Sequence, residues 1–277
     1  MKPLRILVAC EFSGTVRDSF LARGHDAMSC DLLPTEQPGP HYQGDVRDIL
    51  DGWQPVMFAA DCDPEGDGWC QLRDCDPSSC PCLGPTQDGV EYKEVNGVLL
   101  GRHEERPHWD LMIAHPDCTY LTNSAEWAMK DADFSRYPGV GYHQKVGPGT
   151  LVGEARRAAR ENAIDFFLEL WRAPITRVAI ENPVGAISQM MKPSQIIHPH
   201  QFGDDASKGT CLWLRGLPCL QSTSNVPPRV VNGKKRWANQ CDSGGQDKLP
   251  PTDDRWKLRA KTYQGISDAM ADQWPGG

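Results

Sequence analysis

The sequence predicts an α/β protein built on a doubly wound, Rossmann-like parallel sheet, and three observations carry that prediction. Leu4 to Cys10 is a nearly continuous apolar run that leads through Glu11-Phe12-Ser13-Gly14-Thr15 into a helix-like stretch from Val16 to Arg23. Two further apolar runs, Trp109 to Ala114 and Arg177 to Ile180, each end in polar residues. Between those two runs lies a long helical period from about Glu154 to Trp171. A strand buried on both faces reads as uninterrupted apolar sequence, and its alternation with helices predicts a parallel sheet with ligands at the strands' carboxyl ends.

The elements follow in order. After the first helix, closed by Gly24-His25, a second strand spans Asp26 to Cys30 and ends at Asp31. Gly44 to Ile49 reads as a strand end turning into another helix, with Asp45 as its N-cap. The pattern breaks after Val56-Met57-Phe58, where 61–89 is rich in Asp, Cys, Gly and Pro without apolar periodicity. Asn96-Gly97 between the β-prone runs 90–95 and 98–100 predicts a hairpin inside this insertion. In the long helix, Ala155, Ala159, Ala163, Phe167 and Leu170 mark the apolar face, with arginines on the other. A strand at Cys211 to Leu214 and a helix near Ile266 to Trp274 complete the reading. The organisation expected is one domain over 1–277, interrupted by a cysteine-rich insertion at 61–108 and carrying a segment at 216–261 before the last helix.

Of the 277 residues 39% are apolar and 8% aromatic. That suffices for one sizeable core plus an appendage and excludes a disordered tail or a miniature disulfide scaffold. Apolar runs fall well short of the ~20 residues of a membrane span, and Met1-Lys2-Pro3 leads straight into a strand, so a soluble cytoplasmic protein is expected. Lys and Arg number 29 against 37 Asp and Glu, a net charge of -8 that excludes binding of nucleic acid by bulk charge. A polyanion partner must meet a local basic patch. One exists: between Arg229 and Lys261 nine Lys or Arg stand against four Asp, with Trp237 and Trp256 interleaved. Such a stretch suits contact with DNA phosphates and bases, with Lys234, Lys235 and Arg236 as its densest part; a merely solvated loop is the alternative.

Eleven cysteines in a chain of this kind read as metal ligands, catalytic thiols or buried apolar residues before disulfides. Cys70, Cys75, Cys80 and Cys82, with Cys62 upstream, crowd a segment that has little apolar content. A tetrahedral Zn2+ would replace the core it lacks, with free thiols as the alternative. Residues 61–82 hold six acidic residues against Arg73, so this lobe is not a phosphate binder. Of the histidines, His103, His108, His198 and His200 have no ligand spacing, whereas His115 lies beside Cys118.

Three strand ends present chemistry: Phe12-Ser13-Gly14, where a helix N-terminus offers free N–H groups to a nucleotide-like cofactor, Cys118, and Glu181-Asn182. Taken singly, Cys118 reads equally as a buried small hydrophobe and Glu181 as a cap before Pro183.

In their order these pieces resemble the DNA cytosine-5 methyltransferase family, in a compact form typical of phage-encoded members. Phe12-Ser13-Gly14 resembles the family's cofactor turn, Asp31 its ribose-binding acid and Asp45 its adenine-proximal acid. Pro116-Asp117-Cys118 is similar to the Pro-Pro-Cys nucleophile motif, and Glu181-Asn182-Pro183 to Glu-Asn-Val. The resemblance covers 4–60 and 109–215 in outline, together with the closing helix, and implies a methyltransferase-like sheet in the host cytoplasm. It implies S-adenosylmethionine or a derivative as cofactor, held by Phe12, Ser13, Gly14, Asp31, Asp45 and Pro116, and DNA as substrate. Cys118 would add to cytosine C6 and Glu181, beside Asn182, would serve N3, with the base flipped from the duplex. Two positions depart from the pattern. Asp117 replaces a proline and tends to raise the neighbouring thiol, which suggests a role toward an unusual substrate or donor. Aligning Phe202-Gly203 with the family's Gln-x-Arg-x-Arg motif puts Lys208 and Thr210 where arginines stand, with Lys208 a candidate contact to the base or its phosphate. The rival expectations are a same-fold modifier of a free pyrimidine nucleotide and a non-catalytic DNA- or protein-binding module.

Overall fold

The computed structural model describes residues 2–55, 90–103, 108–131, 146, 149–241, 257 and 260–276. Its centre is a mixed, mostly parallel seven-stranded sheet. Strand β1 (Arg5–Ala9) is flanked by β2 (Asp26–Asp31) and, across a long connection, by β7 (Leu111–Ala114), both parallel to it. Strand β3 (His41–Gln43) extends the sheet beyond β2, and β8 (Arg177–Pro183) extends it beyond β7. Strand β10 (Thr210–Arg215) runs antiparallel to β8, and β9 (Gln195–Ile197) closes that edge. The order is therefore β3-β2-β1-β7-β8-β10-β9. The chain winds outward from β1 first one way and then the other, so the β1 and β7 loops part at a topological switch, where doubly wound sheets bind ligands.

The continuous apolar runs are explained by burial on both faces. Leu7 and Ala9 of β1 pack with Met112, Ala114, Val178 and Ile180 against Phe167 and Leu170 of α2 (Gly153–Arg172). Ile6 and Val8 pack the other way with Leu111, Ile113 and Ala179, against Phe20 of α1 (Thr15–Leu21) and Met270 and Trp274 at the end of the chain. The last helix, labelled α4 here (Gln264–Gln273), follows a short α3 (Ala186–Met190). No helix among the described residues is long and apolar enough to cross a membrane.

Several expectations change. Asp45 does cap the turn after β3, accepting from Arg47 N at 3.0 Å, but the turn is a single 3-10 turn, Val46–Asp48, not a longer helix. On α2, Ala155 is exposed and Arg156 buried, because the amino-terminal half of that helix faces a polar loop rather than the sheet. The predicted hairpin forms as β5 (Val90–Val95) and β6 (Val98–His103), with Asn96 and Gly97 at φ 50 and 80, and joins β4 (Gln54–Pro55) in a small antiparallel sheet. Trp53 anchors that sheet between the cations of Lys93 and Arg102, 4.6 and 4.7 Å from its ring. The expected zinc ligands Cys70, Cys75, Cys80 and Cys82 lie outside the described residues. Among the described residues, no group of His, Cys, Asp or Glu could hold a metal, and the six cysteines are free thiols.

Candidate active site

The crevice at the carboxyl ends of β1, β2, β7 and β8 gathers most of the residues singled out above. Ala9 is the last residue of β1, and Cys10 turns the chain with a positive φ of 57, a backbone state that costs a β-carbon-bearing residue energy. Glu11 then folds back under the helix. Its buried carboxylate accepts from Val16 N at 2.7 Å, Arg17 N at 3.3 Å and the Ser13 hydroxyl at 3.2 Å. The expected free N–H groups at the start of α1 are therefore not free, because the neighbouring acid fills them. Burial pushes the Glu11 carboxyl up, and the charge of His115 and those N–H donors only partly oppose it. Gly14 adopts φ 76 because the chain reverses there, and a Cβ would meet Arg17 Nη2 at 2.5 Å.

The neighbouring wall is acidic. Asp31 ends β2, accepts from Leu33 N at 2.9 Å, and has its carboxyl raised by burial. Beside it Leu32 is 73% exposed, an apolar surface at the mouth that the sequence reading passed over. Asp45 is engaged with Arg47 Nη1 at 3.0 Å, and Arg47 also binds Glu169. Asp31, Asp45 and Asp117 all act on the Cys10 thiol, which burial and these charges raise.

Across the switch, β7 delivers His115-Pro116-Asp117-Cys118. Asn182 Nδ2 donates to Pro116 O at 2.9 Å, which fixes the bend before the thiol. Asp117 Oδ1 accepts from both Thr119 N (3.0 Å) and Thr119 Oγ1 (2.7 Å), so the aspartate orders the loop it opens. Burial, Asp117 and Glu181 raise the Cys118 thiol, against which Lys208 acts; at rest it is a neutral thiol.

Glu181 lies within β8 and is no helix cap. Its Oε2 accepts from His115 Nδ1 at 2.9 Å. Burial pushes the Glu181 carboxyl upward, but the His115 bond, the Lys208 charge and the Thr210 hydroxyl outweigh it and hold it below the usual range. The Thr210 hydroxyl thus bonds the Glu181 carboxylate, and the charge of Lys208 acts on it.

The loop after Cys118 is clamped from both sides. Gly185 forms a bridge with Thr122, and Ala186 N donates to Leu121 O at 2.7 Å. Arginines of α2 hold its carbonyls: Arg156 reaches Thr119 O at 3.3 Å, Arg160 reaches Tyr120 O at 2.8 Å, and Arg157 reaches Met129 O at 2.7 Å. The sequence put these side chains on the helix's outer face, and periodicity alone gave no sign of their partners.

No protein-family model matches the chain, and no curated protein matches it.

The basic segment is joined to this crevice. Lys234, Lys235 and Arg236 form β12 (Lys234–Arg236), which pairs with β11 (Arg229–Val231) across Asn232-Gly233 at φ 51 and 73. Lys234 and Lys235 are exposed, as is Val230 at 75%. Arg229 pairs with Asp205, and Asn239 brackets the backbone of Ser207 with bonds of 2.9 and 3.0 Å, next to Lys208. Trp237 stacks on His200 at 4.3 Å, so one face of that indole is already occupied. Trp256 lies outside the described residues.

Proposed function

We propose that this chain transfers a methyl or related one-carbon-derived group to C5 of cytosine in DNA, using S-adenosylmethionine or a derivative. The observation that carries the reading is the gathering of Cys118 and Glu181 at one switch-point crevice, where the Glu181 charge acts on the thiol and Asn182 ties the thiol's turn to the carboxylate's strand. Cytosine C5 is a poor nucleophile until a sulfur adds at C6 and a donor serves N3. Cys118 is the nucleophile and Glu181 the N3 partner; Lys208 is this chain's cation favouring the thiolate.

The cofactor wall fits a cationic, phosphate-free ligand. Asp31, Asp45 and Asp117 line one electrostatic neighbourhood, and Glu11 occupies the helix N-terminus that a pyrophosphate would need. Asp31 would accept from ribose hydroxyls, and the backbone of Phe12-Ser13-Gly14 would pass close beside the ligand, with Pro116 facing it. When bound, the sulfonium supplies an electrophilic methyl group. The exposed hairpin cations Lys234 and Lys235, with Arg236, support a polymeric substrate over a free nucleotide. The cysteine lobe is read as a zinc-bound structural element.

The test is nucleoside mass spectrometry on DNA from cells expressing the protein, with Cys118→Ala as control. A cytosine-derived gain of one methyl, absent in the control, is expected for simple methyl transfer, and a larger gain would assign an altered donor. Unmodified DNA in both strains would overturn the reading in favour of a nucleotide substrate or a binding module.

A further inference from the structure

We infer that His115 is the proton reservoir of this site, supplying through Glu181 the proton that the pyrimidine N3 receives as sulfur adds to C6; the inference rests on the cytosine reading above. The need arises from Glu181 itself. Its neighbours hold it ionised, and a carboxylate only accepts hydrogen bonds, whereas N3 is an acceptor that requires a donor. A proton must therefore reach Glu181 from within the site.

His115 meets that need geometrically. Its Nδ1 lies 2.9 Å from Glu181 Oε2, and the two side chains are only 8% and 15% exposed. Among the described residues its other nitrogen, Nε2, is buried without a hydrogen-bond partner, so none of them competes for that end of the ring. Imidazole is the side chain that ordinarily changes charge near neutrality. The other titratable or charged groups facing the pair are Glu11 from the β1–α1 turn, Cys118 from the loop after β7, and Lys208 and Cys211 from β10 and its approach. Glu11, when ionised, favours the imidazolium, and Lys208 favours the Glu181 carboxylate. Burial holds both thiols neutral at rest.

The step balances. The Nδ1–H bond of the imidazolium breaks as Oε2 takes its proton, and the new Oε2–H bond breaks in turn as that same proton passes to N3. The imidazole is left neutral and the carboxylate regenerated. Cys118 gives its S–H proton to solvent water, and the positive charge on the pyrimidine is cancelled when the electron pair of the resulting thiolate forms the C6–S bond. His115 touches no substrate atom; it is a positioning residue acting through Glu181.

The experiment uses the full chain, S-adenosylmethionine and a random-sequence duplex containing 5-fluorocytosine, in which the C5 fluorine traps the covalent adduct. Adduct formation is timed from pH 6 to 9 for wild type and for His115→Asn, whose amide still hydrogen-bonds Glu181 but holds no transferable proton. His115→Gln serves the same purpose if the Asn variant does not fold. The expected result is a variant slower by about 10²- to 10⁴-fold at the acid end, with the wild-type/variant ratio falling toward the alkaline end. Taking the ratio cancels the thiol's own ionisation. A ratio constant across the range, as a purely structural histidine would give, overturns the inference while leaving the cytosine reading intact. Absence of any wild-type adduct overturns both.

Discussion

Gly185→Ala tests whether the nucleophile loop is positioned by close backbone contact. Gly185 has an extended φ of -177, a conformation any residue adopts, so the constraint is space and not backbone freedom. A Cβ there would lie 2.0 Å from Leu121 O, 3.0 Å from Leu121 C and 3.1 Å from Thr122 Cα. All three are backbone atoms, so no side chain can swing aside, and the strand end and loop must separate by roughly 1.4 Å to reach ordinary contact. That separation breaks the bond from Ala186 N to Leu121 O. Overpacking at about 1–3 kcal/mol and a lost hydrogen bond at about 1 kcal/mol give an expected destabilisation of about 2–4 kcal/mol. Urea unfolding reads this as a lower midpoint at unchanged slope. Because the same loop begins at Cys118, adduct formation should slow about 10²-fold, the usual cost of misplacing a reacting group by 1 Å. Gly24→Ala is the control: φ is 79 but nothing lies within 4 Å of its Cβ, so only conformational cost of about 1 kcal/mol is expected, without loss of rate. A Gly185→Ala protein within 0.5 kcal/mol of wild type, with its rate intact, would refute the reasoning.

Three further outcomes follow from the same geometry. Asp31→Asn should weaken S-adenosylmethionine binding about 10- to 100-fold by isothermal titration, the worth of a charge-assisted hydrogen bond, and an unchanged affinity would remove Asp31 from the site. Glu181 sits below its usual value of 4.5 in the folded protein, so its contribution to stability is present above that value and is lost as pH falls through the depressed folded one. The stability difference between wild type and Glu181→Gln should therefore shrink when unfolding is measured at progressively lower pH, and a difference independent of pH contradicts the assignment. Lys234→Ala and Lys235→Ala should each reduce the slope of log affinity for duplex DNA against log salt by about one; a slope unaffected by both would remove the hairpin from the interface.

The parallel half of the sheet was legible because burial on both faces writes itself into β1, β7 and β8 as unbroken apolar sequence. The hairpin at Asn96-Gly97 was equally plain. The same signal stands at Asn232-Gly233 between β11 and β12, where the flanking runs are short and rich in Lys and Arg instead of alternating apolar residues. Strand β9 escaped notice because three residues carry no readable period, and nothing in Cys211 to Leu214 records that β10 runs backwards. The candidate site was legible as a set of strand-end residues. Its wiring was not, because a hydrogen bond such as that between His115 and Glu181 spans 66 residues and leaves no mark at either end. Glu11 is the sharpest case: it stands in the turn whose free N–H groups the sequence offers to a nucleotide-like cofactor, and only its folded position reveals that it takes those groups itself.

The arginines of α2 grip the nucleophile loop chiefly by its carbonyl oxygens, at Thr119, Tyr120, Thr122 and Met129. A carbonyl is the same whatever side chain its residue bears. These grips fix where the main chain runs whatever side chains those four residues carry, whereas Asp117 with Thr119, Tyr120 beneath Arg156 and Glu126 beside Arg160 hold the loop through their side chains as well. On the proposed reading, a scaffold of this kind can change what it recognises near the base without disturbing how the base is attacked.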